Sequence, residues 1–280
     1  MKLSIITINY NDAKGLKATL ESLEAQTYKE FEHIIIDGGS SDSSVPIIKS
    51  YEEHIAANRF NNKTQYPQMT WVSERDNGIY DAMNKGIAKA SGEYLYFLNG
   101  GDTLVDEHVL EKLAMEIGKA DIIVSKINFT DSSGVYHANH QPRMDRLSLF
   151  YFLQKGVQHQ SALIRRSLFE QCGMYDLQYK IAGDWDFFLR ALVLHNATLH
   201  YTDLTLANFD GNGISSTHGK EIREEINHSF NQNIPERIGS DFMWMLRSGA
   251  DVRRLMWIQY HPFAYWIFKT IVGVGRRFSK

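Results

Sequence analysis

The stretch of residues 94–102 combines the residue types that a ligand site at the end of a strand requires. It reads Tyr-Leu-Tyr-Phe-Leu-Asn-Gly-Gly-Asp, so an apolar run is followed by an amide, two glycines and the carboxylate of Asp102. Glycine lets the backbone approach a ligand closely, and ligands of open α/β sheets lie at the carboxyl ends of strands. Asp102 is therefore predicted to lie where an oxygen-preferring metal ion meets a phosphorylated ligand. The alternative is a plain turn with a solvated aspartate.

The elements that must position this stretch follow from the hydrophobic pattern of the first half of the chain. Strands and helices alternate, which predicts an α/β fold with a mostly parallel central sheet flanked by helices. Polar loops follow three strands, after Ile8, Ile36 and Leu98, and they should gather at one edge of the sheet. The predicted strands are 2–8, 31–36, 69–72, 94–98 and 121–127, and the predicted helices are 14–26, 45–57, 79–90 and 104–118.

The second half of the chain is less regular and holds two further polar candidates. Residues 156–165 predict a strand that carries His159, and a later helix has Asp184 in its first turn. An aspartate at that position is stabilised by the helix dipole, so a capping role is one interpretation of Asp184. A strand within 195–206 precedes a glycine- and serine-rich loop at 208–218. This loop suits a mobile lid, an anion-contacting loop or a solvated linker.

Composition excludes several classes of function. The chain has 280 residues, of which 43% are hydrophobic, and this allows one large domain or one domain with an appended subdomain. The net charge of −3 provides no basic field for nucleic acid.

A single cysteine, Cys172, and an N-terminus that turns polar too early for a signal peptide predict a cytoplasmic location. Neither a G-x-G-x-x-G nor a G-K-[ST] phosphate loop is present, which disfavours dinucleotide oxidoreductases and P-loop NTPases.

Several motifs, taken in their order along the chain, resemble the family 2 glycosyltransferases of the GT-A fold. The first half contains Thr-Ile-Asn-Tyr-Asn11, Ile-Asp-Gly-Gly-Ser-Ser-Asp42, Glu-Arg-Asp-Asn-Gly-Ile-Tyr-Asp-Ala-Met-Asn-Lys-Gly86 and Leu-Asn-Gly-Gly-Asp102. The second half contains Gly-Val-Gln-His-Gln160 and Gly-Asp-Trp-Asp186. The resemblance covers roughly residues 1–215. It implies a nucleotide-diphospho-sugar transferase-like sheet, a nucleotide-diphospho-sugar donor and a divalent metal.

The resemblance also implies a division of the chain and a role for each matching position. A catalytic domain at 1–218 would have a nucleotide-binding half at about 1–100 and an acceptor half at 101–218, followed by a helical extension at 219–280. Asp184 resembles the general base of the family. The positions that match nucleotide and donor-sugar contacts are Ile8, Asn9, Tyr10, Asp37, Asp76, Gly78, Asp81, Asn84, Asn99, Gly100 and Gly101. Further candidate contacts are His159, Ser215 and His218.

One departure from the family pattern concerns the metal. Many members carry Asp-x-Asp-Asp where this chain has Asn99-Gly-Gly-Asp102, so Asp102 is the single carboxylate of the motif that can bind Mn²⁺ or Mg²⁺. Asn99 can ligate through its amide oxygen or bind the ribose. His159 could compensate as a ligand or a phosphate contact, and the alternative is a buried structural histidine.

The function implied is inverting transfer of a hexosyl or N-acetylhexosaminyl group to a glycan or lipid-linked acceptor in polysaccharide, O-antigen or capsule biosynthesis. UDP is the default nucleotide, and GDP and dTDP stay open. One rival is a non-catalytic nucleotide-sugar-binding scaffold subunit, which the reduced aspartate cluster allows. The other rival is a sugar nucleotidyltransferase, which would normally show a glycine-rich basic loop after the first strand. The chain has Asn-Tyr-Asn-Asp at residues 9–12 instead.

The C-terminal segment differs chemically from the rest of the chain. Residues 245–280 contain seven lysines and arginines, one acid and many aromatic and aliphatic residues. Polar residues interrupt the apolar run at 255–274, which disfavours a membrane span. A basic amphipathic segment on the cytoplasmic membrane surface fits better, and the alternatives are packing on the catalytic domain or across a homo-oligomer.

Overall fold

The computed structural model describes residues 2–61, 67–130, 136–139, 149, 152–153, 156–210, 219–247, 258, 261, 263 and 266–267. The strands are β1 (Leu3–Asn9), β2 (Phe31–Asp37), β3 (Gln68–Ser73), β4 (Tyr94–Phe97), β5 (Thr103–Leu104), β6 (Ile122–Thr130), β7 (Tyr136–Asn139), β8 (Ala162–Arg165) and β9 (Leu199–Asp210). The helices are α1 (Ala13–Glu24), α2 (Ser44–Asn61), α3 (Ile79–Lys89), α4 (Val109–Ala114), α5 (Ser167–Cys172), α6 (Gly183–Phe188), α7 (Gly219–Asn233) and α8 (Glu236–Arg247).

The first four strands form the parallel part of one sheet, with β1 at its centre. β1 pairs with β2 on one side and with β4 on the other, and β2 pairs with β3. Every residue of β1 and β2 is buried, as expected for strands that are covered on both faces. Asn9, Asp37 and Ser73 stand side by side at the carboxyl ends of the first three strands. The loop after Leu98 reaches the same edge, because the Gly100 N–H donates to the carbonyl of Ile8 at 2.9 Å. The predicted gathering of the loops after Ile8, Ile36 and Leu98 at one edge is therefore confirmed.

The second half adds mostly antiparallel pairings, so the sheet as a whole is mixed, with the order β3-β2-β1-β4-β8-β6-β9-β5 and β7 on β6. β8 runs antiparallel to both β4 and β6, whereas β9 runs parallel to β6. β8 starts beside the carboxyl end of β4 and runs away from it, so the residues just before β8 lie at that edge. The mostly parallel arrangement that alternation predicts therefore applies to β1–β4.

Two element predictions are corrected by the structure. His159 lies in a short 3₁₀ turn, His159–Ser161, that precedes β8, and not on the strand itself. The helix predicted over 104–118 is interrupted at its start, because Thr103 and Leu104 pair with β9 as a short strand. Its regular helical part is α4 alone.

The chain divides into two compact units, Met1–His228 and Ser229–Lys280. The first contains the sheet, and the boundary falls inside α7. The domain boundary predicted at 218 remains a prediction. Among the helices that the structure describes, none is both long enough and apolar enough to cross a bilayer.

Candidate active site

The carboxyl ends of β1, β2 and β3 are joined by one buried carboxylate. Asp37 accepts hydrogen bonds from Asn9 Nδ2 at 3.0 Å, from Ser73 Oγ at 2.6 Å, and from the backbone and hydroxyl of Ser40 at 2.9 and 2.6 Å. Burial raises the pKa of Asp37, but these hydrogen bonds outweigh it and hold the pKa below its usual value. Four donors match the roughly four lone-pair sites of a carboxylate. Asp37 is fully buried, so it orders this edge and presents no open oxygen.

The loop after β1 presents an aromatic face to solvent. Tyr10 is 67% exposed, next to the buried Asn9. Its neighbour Asn11 adopts a left-handed backbone conformation, with φ of 51°, and its backbone N–H donates to Ser40 Oγ at 2.8 Å. A fixed loop with an exposed ring is a suitable stacking surface for a base.

The segment between β3 and α3 lies against the same edge. Asp76 Oδ2 stands so close to Gly38 that a Cβ there would come within 2.6 Å of it, and Asp76 Oδ1 accepts from the Gly78 N–H at 3.0 Å. Gly78 has φ of 115°, a conformation that favours glycine, and it immediately precedes α3. Asp81 Oδ2 accepts from the Asn77 backbone at 2.9 Å, which stabilises the first turn of the helix.

The turn at 99–102 lies beside β1 and is held by a residue of α1. The Gly100 N–H donates to the carbonyl of Ile8 at 2.9 Å, and the Asp102 N–H closes the turn on the carbonyl of Asn99 at 3.0 Å. The buried hydroxyl of Thr19 donates to the Asp102 carbonyl at 2.7 Å and accepts from the Gly101 N–H at 3.1 Å.

The oxygen atoms around this turn are of the chemical type that a hard divalent cation prefers. Asn9 Oδ1 and Asn99 Oδ1 are both buried with no hydrogen-bond donor, and Asp102 is 4% exposed. Carboxylate and amide oxygens are the ligands that Mg²⁺ and Mn²⁺ prefer. No group of three His, Cys, Asp or Glu side chains able to hold a metal occurs in the described part of the chain. An ion here would therefore depend on amide oxygens and on phosphate.

Asp184 lies in the first turn of α6, but its side chain does not cap that helix. Its Oδ1 lies 3.0 Å from the hydroxyl of Tyr80, and its Oδ2 accepts from His159 Nδ1 at 3.1 Å. The Asp184 side chain is 22% exposed, whereas that of His159 is 9% exposed. Burial, and then the charge of Asp184, raise the pKa of Tyr80 well above its usual value, so this phenol stays a hydrogen-bond donor.

Side chains of strand β4 contact the surroundings of both Asp102 and Asp184. Tyr96 is fully buried, and burial followed by the charge of Asp102 raises its pKa well above the usual value. Its hydroxyl donates to the carbonyl of Gln160, the residue after His159, at 3.2 Å. The ring of Phe97 contacts the ring of His159, with centroids 6.4 Å apart. The 99–102 turn and the His159–Asp184 pair therefore lie against the same strand.

The remaining predicted residues, and Asp186 of the Gly-Asp-Trp-Asp motif, have other surroundings. The Asn84 side chain bonds both backbone groups of Tyr175, at 2.8 and 3.1 Å, and so connects α3 to the segment before α6. Asp186 is buried and pairs with Arg190 at 2.8 Å. Ser215 and His218 lie outside the described residues.

The structure also reveals contributing residues to which sequence analysis assigned no role: Ser40 and Tyr80, which lie within the quoted motifs, and Thr19, Ser73 and Glu225, which lie outside them. A signal existed for Thr19, which lies on the apolar stripe of α1 beside Leu16, Leu20 and Leu23, where a buried hydroxyl needs a partner. No such signal marks Glu225.

The chain is similar to known proteins over most of its length. Residues 4–173 match the family described as Glycosyl transferase family 2. The uncharacterized glycosyltransferase Rv1514c of Mycobacterium tuberculosis is 34% identical over 230 residues, which cover 76% of this chain and 77% of that protein.

Solved structures share the fold at lower identity. TarS 1–349 from S. aureus, in complex with UDP-GlcNAc, has a TM-score of 0.63 and 21% identity, covering 86% of this chain and 70% of that one. The chain spans 42% of a longer TarS chain. Mannosyltransferase PcManGT from Pyrobaculum calidifontis, in complex with GDP-Man and Mn²⁺, has a TM-score of 0.59 and 14% identity, covering 98% and 80%. These likenesses establish a GT-A fold, and the match over residues 4–173 shows that the chain belongs to glycosyltransferase family 2.

Proposed function

We propose that the protein is an inverting glycosyltransferase that moves a sugar from a nucleotide-diphospho-sugar to a hydroxyl of a glycan or lipid-linked acceptor. The main support is the setting of Asp184, whose partly exposed carboxylate is held by Tyr80 and His159 instead of capping its helix. Such a carboxylate can take a proton from a hydroxyl that approaches its exposed side. The UDP-GlcNAc of the TarS complex and the GDP-Man of the PcManGT complex keep N-acetylhexosaminyl and hexosyl transfer as the two candidates.

The nucleotide would lie on the edge formed by β1, β2 and β3. Tyr10 offers a face for the base, and Asp76 and the helix that follows Gly78 would approach the ribose and the donor sugar. UDP remains the default nucleotide. Asp37 would contribute by fixing Asn9 and Ser40, since its own oxygens already accept from protein donors.

Mn²⁺ or Mg²⁺ is the cofactor that suits the oxygens of Asp102, Asn9 and Asn99. When bound, a divalent ion stabilises the negative charge that develops on a leaving diphosphate. The chain itself contributes the fixed turn at 99–102, which Thr19 holds against β1.

In the transfer step, the acceptor hydroxyl gives its proton to Asp184 while its oxygen forms a bond to C1 of the donor sugar. The bond between C1 and the diphosphate oxygen breaks, and its electron pair leaves with the nucleoside diphosphate. Attack occurs on the face opposite the leaving group, so the configuration at C1 inverts. Tyr80 and His159 keep the carboxylate oriented during this step.

The C-terminal segment would place the enzyme on the cytoplasmic face of a membrane, where a lipid-linked acceptor for cell-surface polysaccharide is available. Trp244, immediately before this segment, is 68% exposed, and Phe263 and Trp266 within it are exposed and stacked on each other. Seven cations in residues 245–280 complement an anionic lipid surface. The proposal requires that the full chain binds anionic vesicles.

The rival scaffold and nucleotidyltransferase functions are separated from transfer by one experiment. Binding of UDP, GDP and dTDP is measured by calorimetry with and without Mn²⁺, followed by sugar transfer with the donor selected in this way. Asp184→Asn should keep donor binding and lose transfer. Asp203→Asn, which changes an exposed carboxylate that pairs with Lys126, should keep both. Full transfer activity in Asp184→Asn, or no nucleotide binding by the wild type, would overturn the proposal.

A further inference from the structure

A carboxylate of helix α7 binds the backbone directly upstream of Asp184. Glu225 Oε1 accepts from the Lys180 N–H at 2.9 Å, and its Oε2 accepts from the Ile181 and Ala182 N–H groups at 2.9 and 2.8 Å. Three successive N–H groups that converge on one anion form a nest, and hydrogen bonds to an ionised acceptor are stronger than neutral ones. The turn at 180–182 is thus fixed by one side chain that lies more than forty residues further along the chain.

The same turn contacts the residue that orients Asp184. The Tyr80 hydroxyl has a single proton, which it shares between the Ile181 carbonyl at 2.6 Å and Asp184 Oδ1 at 3.0 Å. Helix α6 begins at Gly183, immediately after the turn. Gly183 lies against the Tyr80 ring, where a Cβ would come within 2.8 Å. A shift of the turn therefore moves both Asp184 and the phenol that holds it.

We propose that Glu225 is a positioning residue for the Asp184 carboxylate, an inference that rests on the proposed function of Asp184 as the base. Glu225 lies outside the family match at 4–173 and beyond the predicted catalytic domain at 1–218. Helix α7 would accordingly complete the active site and not act as an appended extension.

The test compares Glu225→Gln and Glu225→Ala with the neighbouring Glu224→Gln. Gln keeps one acceptor oxygen and so loses part of the three hydrogen bonds to the turn, whereas Ala loses all three. Glu224 is an exposed residue of the same helix that pairs with Lys220 at 3.8 Å, and its substitution provides the matched control. Because a misplacement of about 1 Å can cost roughly 100-fold in rate, we expect kcat to fall about 10-fold in Glu225→Gln and about 100-fold in Glu225→Ala. The donor KM of the Glu225 variants should stay within about twofold of wild type, and so should the kcat of Glu224→Gln.

A double-mutant cycle with Tyr80→Phe distinguishes positioning from general loss of structure. If Glu225 acts through the turn that Tyr80 contacts, Glu225→Gln should cost clearly less in the Tyr80→Phe background than in the wild type. Full additivity, a kcat within twofold of wild type in Glu225→Ala, or a rise in donor KM at constant kcat would each overturn the inference. Loss of transfer in Asp184→Asn together with normal activity in the Glu225 variants would refute this inference alone. Retained transfer in Asp184→Asn would refute the proposed function itself.

Discussion

Replacement of Thr19 by valine should loosen the turn at 99–102 without creating a cavity. Valine has nearly the shape of threonine, and Thr19 is completely buried, so the main change is the loss of one hydroxyl. That hydroxyl donates to the Asp102 carbonyl at 2.7 Å and accepts from the Gly101 N–H at 3.1 Å. In Thr19→Val both backbone groups lose this partner, within the turn that carries the predicted metal ligand.

The expected size of the effect follows from the burial of these groups. A buried polar group left without a partner costs about 1–3 kcal/mol. Gly101 is only partly buried, so water can replace part of the lost bond, and we expect a total loss of about 2 kcal/mol in the free energy of unfolding. The same energy sets an upper limit for the effect on binding. If nucleotide binding must restore the turn at this full cost, affinity in the presence of Mn²⁺ falls by roughly 30-fold.

Urea unfolding and calorimetry of nucleotide binding with and without Mn²⁺ measure both quantities. Thr27→Val is the matched control, because Thr27 is exposed and its hydroxyl donates to the Glu107 carbonyl at 3.1 Å, where water can substitute. The control should stay within about 0.5 kcal/mol of wild type. A Thr19→Val protein that is as stable as this control and binds nucleotide with unchanged metal dependence would refute the reasoning.

Two further outcomes concern Asp37 and the C-terminal segment. Hydrogen bonds hold the pKa of Asp37 below its usual value against the opposing effect of burial. The charge of Asp37 therefore stabilises the fold above about pH 4, and this stabilisation is lost as the pH falls through the lower pKa of the folded state. Urea unfolding should show that Asp37→Asn is less stable than wild type at pH 7, and that the difference in their free energies of unfolding becomes smaller below about pH 4. A difference that stays constant with pH contradicts this. The full chain should co-sediment with anionic vesicles and lose binding as salt rises or when Trp244, Arg253 and Arg254 are replaced; equal binding to neutral vesicles contradicts membrane docking by charge.

The sequence was most informative where neighbouring residues determine the structure. The alternation of apolar strands and helices predicted β1 to β4 and the edge at which Asn9, Asp37 and the 99–102 turn meet. The motifs predicted the family, which the match over residues 4–173 confirms. Local pattern was insufficient in parts of the chain after β4, where a segment's conformation depends on which strand it pairs with. The short strand β5 was therefore missed, and His159 was assigned to a strand and not to the turn before it.

The sequence by itself determined the fold class, the family and the polar residues at the ends of the first strands, because each follows from local periodicity or a short motif. Only the tertiary structure decided how these residues are held. The Thr19 hydroxyl meets the Asp102 carbonyl across 83 positions, and Tyr80 meets Asp184 across 104. A hydrogen bond between such distant residues depends on how the intervening elements pack, and no periodicity or motif in one sequence specifies that packing.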